Sequence, residues 1–147
     1  VPSLPERLRA ALNEARKQRD AARTLLLSTI LADLKNSEIA LGHDASDDET
    51  IDVLRRGVKK RREAAEIYSK VGKTEAAERE AGEARALEAF MPAAVAPDEI
   101  RSAVREAIAG GAKDMGKLMG QVMGRFKGRA DGKLVNQIVR EELAATP

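Results

Sequence analysis

Cysteine and tryptophan are absent from the 147-residue chain, and Tyr68, Phe90 and Phe126 are its whole aromatic complement. Without cysteine there is no disulfide framework, no thiolate zinc site and no cysteine nucleophile. Histidine occurs once, at His43, which excludes a multi-histidine metal centre and gives a Ser–His pair little to work with. His43 stands beside Asp44, Asp47 and Asp48, but the spacing is not that of a calcium loop. Neither a metal nor a cofactor is expected. G-x-S-x-G, Walker and H-E-x-x-H patterns are missing as well, so catalysis by this chain alone has no motif behind it. The apolar run Leu25–Leu27 is far too short for a bilayer span, and no signal-peptide pattern opens the sequence. A cytoplasmic protein without a membrane partner is the expectation.

What the chain does contain is charge, at 34% of residues, carried on Ala, Leu, Glu, Arg and Lys. These are strong helix formers, and no segment alternates apolar and polar residues as a half-buried strand would. The chain therefore reads as all-α. Ser3-x-x-Glu6 and Ser46-x-x-Glu49 are capping boxes, in which hydroxyl and carboxylate satisfy free N–H groups at a helix start. Asp20 can cap a second helix or interrupt a single bent one; Thr74 is the expected cap of the fourth helix, and Asp114 and Asp131 cap two later ones. The inward faces read Leu4, Leu8, Ala11, Leu12 and Ala15; Ala22, Leu25, Leu26, Ile30 and Leu34; Ile51, Leu54, Val58, Ala65 and Tyr68; and Ala77, Ala81, Ala84, Leu87, Phe90 and Met91. Pro92 and Pro97 bracket an uncharged stretch expected to be a short linker. The expected organisation is an N-terminal multi-helical domain, residues 1–92, and a small C-terminal three-helix domain, residues 93–147.

Charge is unevenly placed. Residues 1–97 carry 17 Lys/Arg and 17 Asp/Glu, whereas residues 113–140 carry seven cations against two carboxylates, a net of +5. The seven are Lys113, Lys117, Arg125, Lys127, Arg129, Lys133 and Arg140, and they are the candidate RNA-binding residues. Arg129 and Lys133 flank the helix start at Asp131, where free N–H groups favour an anion; the plainer reading is that Asp131 already fills that position. A second basic cluster spans 55–62, with Arg55, Lys59 and Arg62 on one ridge and Arg56 and Lys60 on the next. It reads either as a phosphate-contacting ridge or as a solvated face partly paired with Asp52, Glu63 and Glu66. The carboxylates Glu75, Glu78, Glu80, Glu83 and Glu88 read as solvated.

Gly116, Gly120 and Gly124 recur every four residues inside one helix, with Gly128 continuing the interval into the next turn. Each interior helical glycine costs about 0.8–1 kcal/mol relative to alanine. Either a neighbouring helix packs closely there, or the bare backbone is left open to a partner. Met115, Met119 and Met123 form an adjacent stripe, which fits a core poor in aromatic residues.

The segments 114–124 (DMGKLMGQVMG) and 127–136 (KGRADGKLVN) together resemble the signature of the GatB/YqeY family, and 54–68 (LRRGVKKRREAAEIY) and 88–92 (EAFMP) resemble its stand-alone YqeY branch. The resemblance covers nearly the whole chain. It implies an all-α protein whose C-terminal domain is similar to the tail of the GatB component of the glutamyl/aspartyl-tRNA amidotransferase, a tail that engages tRNA. It matches this chain at Lys117, Gly120, Met123, Gly124, Lys127, Gly128 and Asn136. The turn is compact, with one residue between Phe126 and Gly128. The catalytic parts of the amidotransferase are not here, so carbon–nitrogen ligase activity with glutamine as amido donor attaches by family association only. The expected function is a non-catalytic module in translation that binds tRNA or another structured RNA by shape and phosphate charge. The alternative is a protein–protein adaptor or accessory of an amidotransferase or synthetase subunit.

Overall fold

Side-chain caps set most of the helix starts. The Ser3 hydroxyl accepts from the Glu6 N–H at 3.3 Å while the Glu6 carboxylate accepts from the Ser3 N–H at 3.1 Å, opening α1 (Leu4–Lys17). Ser46 and Glu49 repeat that exchange at 3.1 Å each to open α3 (Asp47–Lys70). Asp20 accepts from the Arg23 N–H at 3.0 Å to open α2 (Ala21–Leu41). The break between α1 and α2 is real: Arg19 adopts φ +54° and the Asp20 N–H returns to the Ala15 carbonyl at 3.0 Å. A left-handed residue followed by such a return bond is a helix stop.

The computed structural model describes residues 1–126 and 129–147. Among them all regular structure is α-helical, in seven helices, completed by α4 (Thr74–Glu88), α5 (Pro97–Ala109), α6 (Met115–Arg125) and α7 (Gly132–Ala145). One start differs from expectation. Thr74 is the first residue of α4 and not its cap; Lys73 holds the cap position, with its carbonyl accepting from the Ala77 N–H at 3.0 Å. Gly72, at φ +77°, closes the preceding turn so tightly that the helix begins early. α5 begins at Pro97, whose fixed φ and missing N–H suit the first helical position.

The chain divides into two compact units, Val1–Met91 and Pro92–Pro147. In the first, Leu8, Leu27, Ile30, Leu54 and Leu87 are buried at the centre of the helices α1 to α4. α2 departs from its expected face: Ala22 is exposed and Leu25 is 70% exposed, while Leu27 takes the buried position. Three consecutive leucines leave the phase of the helix undetermined by pattern, and packing chooses. Gly57 of α3 is buried because it must be: a Cβ there would stand 2.8 Å from Ile30 Cδ1 and 3.2 Å from Leu87 Cδ1. Asp47 links two helix starts, its Oδ1 accepting from the Leu4 N–H at 2.9 Å.

The second unit packs α5, α6 and α7 around Ile100, Val104, Leu118, Val122, Val135, Ile138 and Val139. Its core also takes in Val95, from the stretch expected as a linker, and the Val95 N–H donates to the Arg129 carbonyl at 2.8 Å. Phe126 is buried at the end of α6.

Candidate nucleic-acid interface

Each helix of the second unit has one flank turned to α5 and another turned away. On α7, Glu142 is buried and accepts from Arg101 at 2.8 Å and from Arg105 at 3.0 Å, while Glu141 accepts from Arg101 at 2.7 Å. The guanidinium of Arg105, then that of Arg101, holds the Glu142 carboxyl below the usual carboxylate range; Arg101, then Gln137, does the same for Glu141. On α6, Arg125 donates to Glu106 of α5 at 2.7 Å and lies 5.5 Å over the Phe126 ring. Glu141 and Glu142 are thus engaged by arginines of α5, and Glu106 of α5 by Arg125 of α6.

The other flanks carry different chemistry. Lys133 and Arg140 are seven residues apart on α7, within about 20° of each other, and roughly 140° around the helix from the middle of the Glu141–Glu142 edge. Both are exposed, and neither makes an ion pair among the described residues. On α6 the half-buried Met115, Met119 and Met123 pack against the core, and Met123 Cε lies 3.9 Å from the place of a Cβ on Gly132 of α7. One residue further round, Gly116, Gly120 and Gly124 are all exposed. A Cβ at Gly120 or Gly124 would meet no atom within 4 Å, and one at Gly116 only the Asp114 Oδ2 at 3.2 Å. Close packing by a neighbouring helix therefore does not account for these glycines. The bare strip of α6 backbone is bordered by Lys117, exposed and without an ion pair among the described residues, with Lys113 in the turn before the helix.

The α6–α7 turn is partly self-satisfied. Asp131 accepts from the Lys133 N–H at 3.3 Å, so a carboxylate already occupies the anion position at the start of α7. Arg129 is exposed, with its Nε–H directed at the Ala93 carbonyl at 3.4 Å. The expected residues Lys127 and Gly128 lie outside the described residues. Lys113, Lys117, Lys133 and Arg140 thus stand without acidic partners among the described residues, whereas Arg125 is held by Glu106.

The second basic cluster is treated otherwise. Arg62 Nε donates to Glu88 at 3.0 Å, Arg61 Nε to Glu83 at 3.1 Å, and Arg55 lies 3.4 Å from Asp52. Glu83 and Glu88, expected to be solvated, are partners of α3. Of the ridge Arg55, Lys59 and Arg62, only Lys59 has no ion pair among the described residues. His43 is an exposed loop residue whose Nδ1 lies 2.8 Å from the Asp44 carbonyl; that bond, then the nearby Glu49 carboxylate, raises its pKa. No group of three or more potential metal ligands occurs among the described residues, and no described helix is long and apolar enough to cross a membrane.

The pairing of Glu142 with two arginines of α5, 41 and 37 residues away, was not legible in the sequence. Its one signal was a glutamate at an inward-facing position of α7, four residues after Ile138. A comparison with curated proteins finds no match. A family model described as Yqey-like protein matches residues 5–143, nearly the whole of the chain, which therefore belongs to the YqeY-like family.

Proposed function

We propose that the second unit binds structured RNA, with tRNA the first candidate, as a non-catalytic module that grips phosphates along α6 and α7. The observation that carries this reading is the segregation of charge: Glu106, Glu141 and Glu142 are engaged along α5, while Lys113, Lys117, Lys133 and Arg140 stay exposed and without an ion pair among the described residues. The exposed glycines of α6 add a strip of backbone that a sugar-phosphate chain can approach closely. With Tyr68 and Phe90 in the first unit and Phe126 buried, the second unit has no aromatic platform for single-stranded bases, so recognition runs through shape and charge.

Four phosphate contacts give a fall of log affinity with log salt at a slope of roughly −2.8 to −3.6. Titration of tRNA at several salt concentrations measures it. The triple variant Lys117→Glu, Lys133→Glu, Arg140→Glu is expected to lose tRNA binding with its helicity intact. Unchanged affinity in that variant, or binding indifferent to salt, removes the proposal.

The same exposed glycine strip favours a second reading, a protein–protein adaptor whose partner helix lies along α6, such as a subunit of an amidotransferase or synthetase. The charge variant separates the two. An adaptor loses its protein complex in Gly120→Leu and keeps it in the Lys117→Glu, Lys133→Glu, Arg140→Glu protein.

A further inference from the structure

The cations of α3 do not share one fate. Arg61 and Arg62 are held by Glu83 and Glu88 of α4, and Arg55 stands by Asp52. Arg56 and Lys60, four residues apart on α3, turn instead toward α2 across an open cleft of about 480 Å³. That volume lies within the range of small-molecule sites. Asp33, Asn36 and Ser37 of α2 line the opposite wall. Gly57 forms part of the floor and is backed by Ile30.

These five polar side chains face one cleft, yet among the described residues none of them makes an ion pair or a side-chain hydrogen bond. Two like charges at i and i+4 repel one another. They would both be relieved by one compact dianion between them, and a phosphate monoester has that size and charge. The far wall specifies more than a phosphate. The Asn36 amide and Ser37 hydroxyl both donate and accept, and the Asp33 carboxylate accepts only, a set suited to the hydroxyls of a polyol.

We propose that the α2–α3 cleft binds a phosphate monoester of a hydroxyl-bearing molecule, with Arg56 and Lys60 on the phosphate and Asp33, Asn36 and Ser37 on the hydroxyls. The phosphate can belong to a free sugar phosphate or mononucleotide, or to the phosphorylated end of an RNA chain. The site is independent of the α6–α7 surface, and each proposal can fail without the other.

Calorimetric titration of the full chain with inorganic phosphate, ribose 5-phosphate, AMP and a short RNA oligonucleotide, with and without a 5′-phosphate, tests it. Ribose 5-phosphate or AMP is expected to bind more tightly than inorganic phosphate, and Arg56→Gln or Lys60→Gln to weaken that binding at least tenfold. Binding by the 5′-phosphorylated oligonucleotide alone, lost in the same variants, assigns the site to RNA ends. Arg56 and Lys60 are exposed, so their replacement leaves the helices intact, which circular dichroism checks. Asp33→Asn is expected to tighten inorganic phosphate and to narrow the preference for ribose 5-phosphate over it. The proposal is overturned if no phosphorylated probe binds, or if those that bind are indifferent to Arg56→Gln and Lys60→Gln.

Discussion

Gly57 in α3 and Gly120 and Gly124 in α6 occupy the same kind of position, the interior of a helix, for opposite reasons. Around Gly57 the neighbours Ile30 and Leu87 leave no room for a methyl group. Around Gly120 and Gly124 there is nothing within 4 Å. Positive charge divides within each unit. In the first, Arg61 and Arg62 are bound by carboxylates of α4 while Arg56 and Lys60 have no ion pair among the described residues; in the second, Arg101 and Arg105 are bound by Glu142 while Lys133 and Arg140 face solvent without one. An α3 glycine is explained by what the chain packs against it, and the α6 glycines are not. A residue whose cost is not offset within the fold points outward, to whatever the surface meets.

Substitution can break that contrast, most strongly at Gly57. Gly57→Ala pushes the Cδ1 ends of Ile30 and Leu87 aside, and the overpacking cost of about 1–3 kcal/mol is offset in part by the gain of about 0.8–1 kcal/mol that alanine has over glycine in a helix; chemical denaturation of the first unit measures the net loss. Next comes acid. Glu141 and Glu142 titrate below the ordinary carboxylate range when folded, so their stabilisation is present above the unfolded-state pKa and is lost as pH falls through the folded values. Glu142→Gln is expected to lower the thermal midpoint of the second unit at neutral pH and to flatten its loss on acidification. Gly120→Ala should act in the opposite direction to Gly57→Ala, stabilising the second unit by about 0.8–1 kcal/mol, since the methyl group meets nothing and only helix propensity changes. A destabilised Gly120→Ala protein would mean that the glycine is needed inside the fold after all. The smallest effect is at Arg62→Ala, because the pair with Glu88 is half exposed on both sides, and such pairs contribute about 0.2–1 kcal/mol.

Much of the helical framework was legible in the sequence because helix starts are local chemistry. Ser3, Asp20, Ser46, Asp114 and Asp131 each cap a nearby N–H within three residues. What depends on distant residues was not legible. The phase of α2 went astray at Leu25 because Leu25, Leu26 and Leu27 offer three equivalent faces, and only packing in the core shared with α1 and α3 selects among them. Val95 sits between two prolines in an uncharged stretch, and its burial depends on a core assembled from three later helices. The basic residues of α3 were visible, but the carboxylates that hold Arg61 and Arg62 lie 22 and 26 positions further on. Arg56 and Lys60 were visible as an adjoining ridge, while the cleft they line comes from the approach of α2.

The clasp between Leu4 and Asp47 has a kinetic meaning. Amides in the first turn of a helix have no intrahelical acceptor and normally exchange quickly with solvent. The Leu4 N–H is instead bonded to a carboxylate 43 residues away, on a side chain that belongs to another helix. Its exchange with deuterium is therefore gated by the parting of α1 from α3. Leu4 is the natural reporter of whether the first unit is open or shut, and that one peak can be followed while either surface is titrated with its ligand.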